Sequence, residues 1–157
     1  MDDLLLDSSY LFPIFGVGLE YRDFDVIFPR LPDRYSVKYN PVSLIEAKWY
    51  VLRQSRKKGR EDLLEGYRRG LTSLERDRRL ESTRLTNDRI EELSDSLLAK
   101  FFIQDYFDRL IYSTAAYLES ILLTEDGPLH EVFKKTDDLP KPKRIMKWKD
   151  LLTDDKK

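Results

Sequence analysis

Four acids in this sequence stand where solvation alone does not account for a carboxylate: Asp7, Glu46, Asp108 and Asp126. Asp7 ends the apolar run Leu4-Leu5-Leu6, and Asp126 follows Ile121-Leu122-Leu123 by way of Thr124 and Glu125. Short apolar runs that stop at turn residues suit buried strands of a parallel sheet. Open α/β sheets bind ligands at the carboxyl ends of such strands. Glu46 comes four residues after Val42 and one after Ile45, at the border of a helix's apolar face and near its start. Asp108 adjoins Phe107 and precedes Leu110, again in an early helical turn. Carboxylates gathered at one sheet edge raise one another's pKa values and strain the fold. A divalent cation removes that conflict, and a ligand set made only of oxygens suits a hard ion, Mg²⁺ or Mn²⁺.

Each acid also has a plain structural role open to it. Asp7 can cap a strand-to-helix turn with Ser8 and Ser9. Asp126-Gly127 reads as a turn. Asp105 and Asp108 are spaced like a variant capping box, and helix starts favour acids. Glu46 can be a surface acid beside Lys48 or Tyr50. The lone histidine, His130, reads as a surface or packing residue. One histidine supports neither a histidine-pair ribonuclease mechanism nor a serine triad of the usual type. An aspartyl-phosphate phosphatase needs a second aspartate two residues after the first, where this chain has Ser9. A receiver domain needs an acid pair at the end of the first strand, whereas Asp2 and Asp3 precede it.

Positioning these acids takes strands and helices in alternation. Beyond the two apolar runs, strands are predicted at Tyr35 to Tyr39, Leu80 to Thr86 and Arg144 to Trp148. Asn40-Pro41 looks like a cap and first-turn proline for a helix whose apolar positions are Val42, Ile45, Trp49 and Leu52. Leu63, Tyr67, Leu71 and Leu74 mark a second helix, weakened by Gly66 and Gly70. Ile90, Leu93, Leu97 and Phe101 mark a third. Phe107, Leu110, Ile111, Thr114 and Leu118 mark a fourth. The pattern predicts a three-layer α/β/α sandwich around a central, mostly parallel sheet.

The 157 residues fit one domain, read as 1–150 with a long ordered excursion at about 16–34 and a charged, fraying tail at 151–157. Charged residues make up 36% of the chain, above the usual quarter, and the hydrophobic 41% is enough for a core. No cysteine is present, which excludes disulfides, thiolate catalysis and zinc–thiolate sites. The acidic start Met1-Asp2-Asp3 is unlike a secretory signal, and no apolar run approaches the roughly 18 residues that span a bilayer. The reading is therefore cytoplasmic, with no membrane contact. A formal net charge of −1 is not that of a strongly basic nucleic-acid binder. Locally, however, Arg53, Arg56, Lys57, Lys58 and Arg60 form a basic run with no acid among them, read either as a solvated helix face or as a phosphate contact.

The ordered set resembles one known family. Leu4-Leu5-Leu6-Asp7-Ser8-Ser9 resembles the opening of PIN domains, and Val42-Ser43-Leu44-Ile45-Glu46 their first helix with its internal glutamate. Asp108-Arg109-Leu110-Ile111-Tyr112-Ser113-Thr114-Ala115 looks like their third acidic motif. Ile121 to Asp126 is similar to the fourth, a strand ending in Thr-x-Asp. Arg144 to Leu152 resembles the last strand and its short tail. The likeness covers most of the chain. Two stretches depart from it: the excursion after Gly16 is longer than in compact toxins, and Phe101 to Phe107 is more aromatic.

The resemblance implies divalent-metal-dependent cleavage of RNA, as in VapC-type toxins and archaeal relatives, leaving a 5′-phosphate and a 3′-hydroxyl. In that frame Asp7, Asp108 and Asp126 hold one or two Mg²⁺ or Mn²⁺ ions, and Glu46 is a ligand or the base that positions water. Ser9, Thr124 and Asp105 would orient those carboxylates. Arg53, Arg56, Lys57 and Lys58 would bind RNA, and Tyr10, Phe12, Tyr106 or Tyr112 would stack on unpaired bases. An antitoxin protein and a homodimer are the partners such a toxin would have. The alternative is a catalytically silent PIN-like module that binds RNA or protein.

Overall fold

The computed structural model of this chain describes residues 1–18 and 20–154. The first strand, β1 (Asp2–Leu6), leads through two 3-10 turns (Ser8–Tyr10 and Phe12–Phe15) into the excursion, which holds a short helix α1 (Phe24–Ile27) and a 3-10 segment (Phe28–Asp33). Then come β2 (Tyr35–Tyr39), α2 (Val42–Lys58), α3 (Asp62–Arg76), β3 (Leu80–Ser82), α4 (Asp88–Phe101) and α5 (Tyr106–Tyr117). The chain closes with β4 (Ile121–Leu123), α6 (Gly127–Lys135), β5 (Arg144–Met146) and α7 (Trp148–Asp154). Among the described residues no helix is long and apolar enough to cross a membrane.

The five strands form one sheet in the order β3-β2-β1-β4-β5, every pairing parallel. Side chains alternate along a strand, so β1 must feed two cores. Leu4 and Leu6 join Val37, Tyr39, Ile121 and Leu123 on one face, under α2, α3 and α7. Leu5 and Leu122 join Ile90, Leu97, Leu110, Ile111, Leu129 and Val132 on the other, under α4, α5 and α6. This is the expected three-layer sandwich, and it explains why β1 and β4 are unbroken apolar runs.

Three local expectations change. Of the predicted apolar stripe of α2 only Val42 is buried, alongside Ser43, Ala47, Val51 and Ser55, while Leu52 is half-buried and Ile45 and Trp49 are exposed. Small side chains let this helix lie close against the rest of the molecule, and that turns Ile45 and Trp49 outward. The sequence starts a frayed tail at residue 151, but α7 continues to Asp154 with Leu151 buried. Trp148 anchors it, its Nε1 donating to the Arg22 carbonyl at 2.8 Å while its ring stacks on Tyr10 and Phe24. Residues 155–157 of that tail lie outside the described residues. Third, Gly70, a weak point for a helix by composition, is where α3 meets the second 3-10 turn. A Cβ there would strike the Ile14 carbonyl and come within 2.7 Å of the Phe15 ring.

Candidate active site

The strand order fixes where a ligand can enter. The chain builds β1, β2 and β3 outward on one side, then returns to place β4 and β5 on the other. Connections therefore diverge between β1 and β4, and open α/β sheets take their ligands beyond the carboxyl ends at such a switch. Asp7 is the first residue after β1. Thr124 to Asp126 directly follow β4.

Asp7 is held from both sides. Its Oδ1 accepts from the Ser8 backbone N–H at 2.7 Å, which caps the following 3-10 turn. Its Oδ2 accepts from Thr124 Oγ1 at 2.6 Å. Burial pushes the pKa of Asp7 up and outweighs both hydrogen bonds; Asp126 and Asp105 add to the rise. Thr124, fully buried, does two jobs with one hydroxyl, because it also accepts from the Asp126 backbone N–H at 3.1 Å. Its carbonyl accepts from His130 Nε2 at 2.8 Å, so the histidine is a packing residue that pins α6 to the end of β4.

Asp126 caps α6, its Oδ1 accepting from Leu129 N at 3.0 Å. Asp105 caps α5, its Oδ1 accepting from the backbone N–H groups of Phe107 and Asp108 at 2.8 and 3.2 Å. Asp105 thus takes the capping role the sequence offered it, while Asp126, read as a turn, caps a helix instead. Asp108 lies in the first turn of α5, and no described residue donates a hydrogen bond to its carboxylate. Its pKa is raised to about 8, by burial first and then by Asp7, Asp105, Asp126 and Glu46. Glu46 is raised by burial, then by Asp7 and Asp105, with Arg53 opposing. These mutual effects put all five acids in one electrostatic neighbourhood.

Ser9, expected to orient a carboxylate, hydrogen-bonds to none of the acids among the described residues, whereas the Ser8 backbone N–H holds Asp7. Ser9 Oγ instead accepts from Tyr21 OH at 3.0 Å, which fastens the excursion. Ser8 is buried beside Glu46 and tends to lower its pKa. Yet the Ser8 hydroxyl proton goes to Ser43 Oγ at 2.9 Å. One proton cannot serve both acceptors, and Glu46 Oε2 is left buried with no hydrogen-bond partner.

No family model matches the sequence, and neither does any curated protein. Solved structures do match. VapBC2 from Rickettsia felis, in a crystal bound to a DNA fragment from their promoter, superposes with a TM-score of 0.60. That match spans 93% of this chain and 98% of the other at 18% identity. PAE2754 from Pyrobaculum aerophilum gives 0.54, spanning 98% and 96% at 17% identity.

The chain has the PIN-domain fold.

In this PIN fold the expected phosphate-binding residues occupy the far end of α2, the helix that carries Glu46. Arg53, Arg56, Lys57 and Lys58 are all exposed, and none forms a salt bridge among the described residues. The last three also complement the helix dipole. Of the aromatics expected to stack on bases, Tyr10 and Tyr112 are fully buried and serve the core. Phe12 stacks on Tyr50. Tyr106 donates to Glu91 and lies under Arg109.

A hard divalent cation suits this donor set in chemistry. All five acids offer oxygen, and Glu46 Oε2 is a buried acceptor that nothing in the protein satisfies. The side chains do not yet enclose an ion: among the described residues no group of three acids or histidines is drawn tightly enough to hold one. Each Asp7 oxygen accepts one hydrogen bond, from Ser8 and Thr124, and Asp126 Oδ1 accepts one from Leu129, which leaves each of these oxygens a lone pair for a cation.

Proposed function

We propose that this protein is a divalent-metal-dependent endoribonuclease that cleaves RNA phosphodiester bonds. The observation that carries the reading is the crowding of Asp7, Glu46, Asp105, Asp108 and Asp126 at the sheet's switch point, with Asp108 raised to about 8 and one Glu46 oxygen unsatisfied. Such a group of acids is unfavourable unless a cation or a proton joins it.

Asp7, Asp108 and Asp126 would hold Mg²⁺ or Mn²⁺, with Glu46 at the margin. When bound, the cation neutralises charge on the phosphodiester and makes a water more acidic. Thr124 keeps Asp7 in register with Asp126. Asp105 fixes the first turn of α5, and with it Asp108. Glu46, whose Oε2 is enclosed and without a donor, would accept the proton that a nucleophilic water gives up. Arg53, Arg56, Lys57 and Lys58 would bring the strand to a site that otherwise repels it.

The test is cleavage of single-stranded RNA in Mg²⁺ or Mn²⁺. Asp7→Asn and Asp126→Asn are each expected to lose activity by about 10²-fold or more, since each removes a metal-binding charge. Activity that persists in both variants, or in excess chelator, overturns the reading.

The likeness to VapBC2 supports a further step, that this chain is the toxin of a toxin–antitoxin pair and binds an antitoxin protein over the acidic cluster. A homodimer is part of the same proposal. A short reading frame for a DNA-binding protein beside its gene would support the pair. One observation favours the silent RNA- or protein-binding module instead: no three acids already stand close enough to hold an ion. Mg²⁺ or Mn²⁺ that leaves thermal stability unchanged, together with RNA binding that ignores the metal, would decide for the module.

A further inference from the structure

Trp49 is an aromatic ring left open beside the acids. Of the two tryptophans, Trp148 is 3% exposed and Trp49 is 56% exposed. The Trp49 ring leans on Phe107, with centroids 5.4 Å apart and planes tilted by 55°. Phe107 immediately precedes Asp108 in α5. One side of the indole is therefore held, and much of the ring still meets solvent.

Its neighbours along α2 alternate in a way that core packing does not require. Glu46, Trp49, Arg53 and Arg56 are spaced i, i+3, i+7 and i+10, which keeps them within an arc of about 80° on the helix surface. They extend over about 15 Å at 1.5 Å per residue. Along that stripe a carboxylate is followed by a flat ring and then by two guanidinium groups. The guanidinium groups form no salt bridge among the described residues, unlike Arg60, Arg69 and Arg79, each paired with an acid.

We infer that Trp49 is a stacking platform for an unpaired base of single-stranded nucleic acid, and that the strand leaves the acidic cluster along α2 over Arg53 and Arg56. More than half of the residue is open to solvent, and an exposed indole can stack on any base. The cations beyond it complement phosphates and would oppose a basic polypeptide. The inference takes its substrate class from the nuclease reading, but its readout does not depend on cleavage.

The full-length protein in excess chelator is titrated with an eight-residue oligoadenylate RNA while tryptophan emission is followed. Trp148 is buried, so quenching reports Trp49. Trp49→Ala is expected to weaken binding about 5- to 150-fold, the range for loss of one stacked base. Trp49→Phe keeps a flat ring and is expected to lose less. In oligonucleotides with one abasic residue moved along the strand, a single position should cost the wild type the same factor and cost Trp49→Ala nothing.

Unchanged affinity in Trp49→Ala overturns the inference, as does an abasic scan in which no position reduces the quenching. Emission that no oligonucleotide alters also overturns it, and leaves this face to a polypeptide. The abasic scan on the wild type decides the matter even if both variants fold poorly. A platform that passes these tests in a protein with no metal-dependent cleavage sinks the nuclease reading alone. Cleavage with the same KM in wild type and Trp49→Ala sinks the platform alone.

Discussion

Thr124 shows how much one hydroxyl can organise. It donates to Asp7 at the end of one strand and accepts from the Asp126 backbone at the end of the next. Without it, two acids on separate loops lose their common reference. Thr124→Val keeps the shape and removes both bonds. The expected result is a loss of kcat/KM of about 10- to 100-fold, the usual range when the partner of a metal-binding carboxylate is removed. Stability should fall by about 1–3 kcal/mol, because the Asp126 N–H and an Asp7 oxygen lose a partner. Steady-state cleavage and chemical denaturation measure the two effects, and activity equal to wild type would remove Thr124 from the mechanism. Ser8 makes a related point. The family resemblance put Ser9 among the residues that would orient the carboxylates. The 3-10 turn capped by Asp7 instead buries Ser8 near Glu46 and turns Ser9 to Tyr21. A strand-to-turn transition changes which side chain points inward, and residue type alone does not report it.

At the scale of elements, helix starts carry much of the site. Asp105 and Asp126 each cap a helix, and Asp108 is in the first turn of α5. The capping and catalytic readings of Asp126 are separable, because asparagine caps a helix about as well as aspartate. Asp126→Asn should therefore keep the melting temperature near that of wild type and lose cleavage. Asp126→Ala should lose cleavage and also about 0.5–2 kcal/mol of stability from the cap. If asparagine restores both properties, Asp126 is a cap alone. Asn40 is another element-scale device, seen in the sequence only as an N-cap. It is fully buried; its Oδ1 accepts from Val42 N at 2.9 Å, and its Nδ2 donates to the Arg84 and Leu85 carbonyls and to Thr114 Oγ1. Those bonds set the start of α2, and so the place of Glu46, against α5 and the loop after β3. The sequence marked the cap because Asn-Pro is a local signal. It could not mark the long-range partners, which lie 44, 45 and 74 residues away.

Across the whole molecule, the acidic cluster should tie stability to pH and to metal. Asp108 has a folded-state pKa near 8, well above the ordinary carboxylate value, with burial as the first cause. Between those two values the folded chain holds a proton that the unfolded chain has released. Stability without metal should therefore fall as pH rises from about 4 to about 8, and level off above. Asp7 and Glu46 shift in the same direction and steepen the fall. Melting curves in chelator across that range test the slope, which Asp108→Asn should flatten. At pH 8, Mg²⁺ or Mn²⁺ at about 100 times its Kd should restore about 2.7 kcal/mol. A flat profile in chelator would mean that the acids do not face one another.

The sequence by itself determined the five strands, the four long helices and the sandwich, because apolar periodicity is local and each period has one compact solution. It overextended β3 and β5, and it read the start of α6 as a turn, since Asp-Gly-Pro signals a chain reversal as readily as a capped helix. It also named the five acids, because strand ends and helix starts are local places. Tertiary structure alone decided that these places meet: the switch between β1 and β4 brings residues 7 and 124–126 together, and α2 and α5 bring in residues 46 and 105–108. It alone decided which face of α2 is buried, and so left Trp49 in the open. A helical stripe fixes which residues share a side, but the side that turns inward depends on how closely its neighbours can approach.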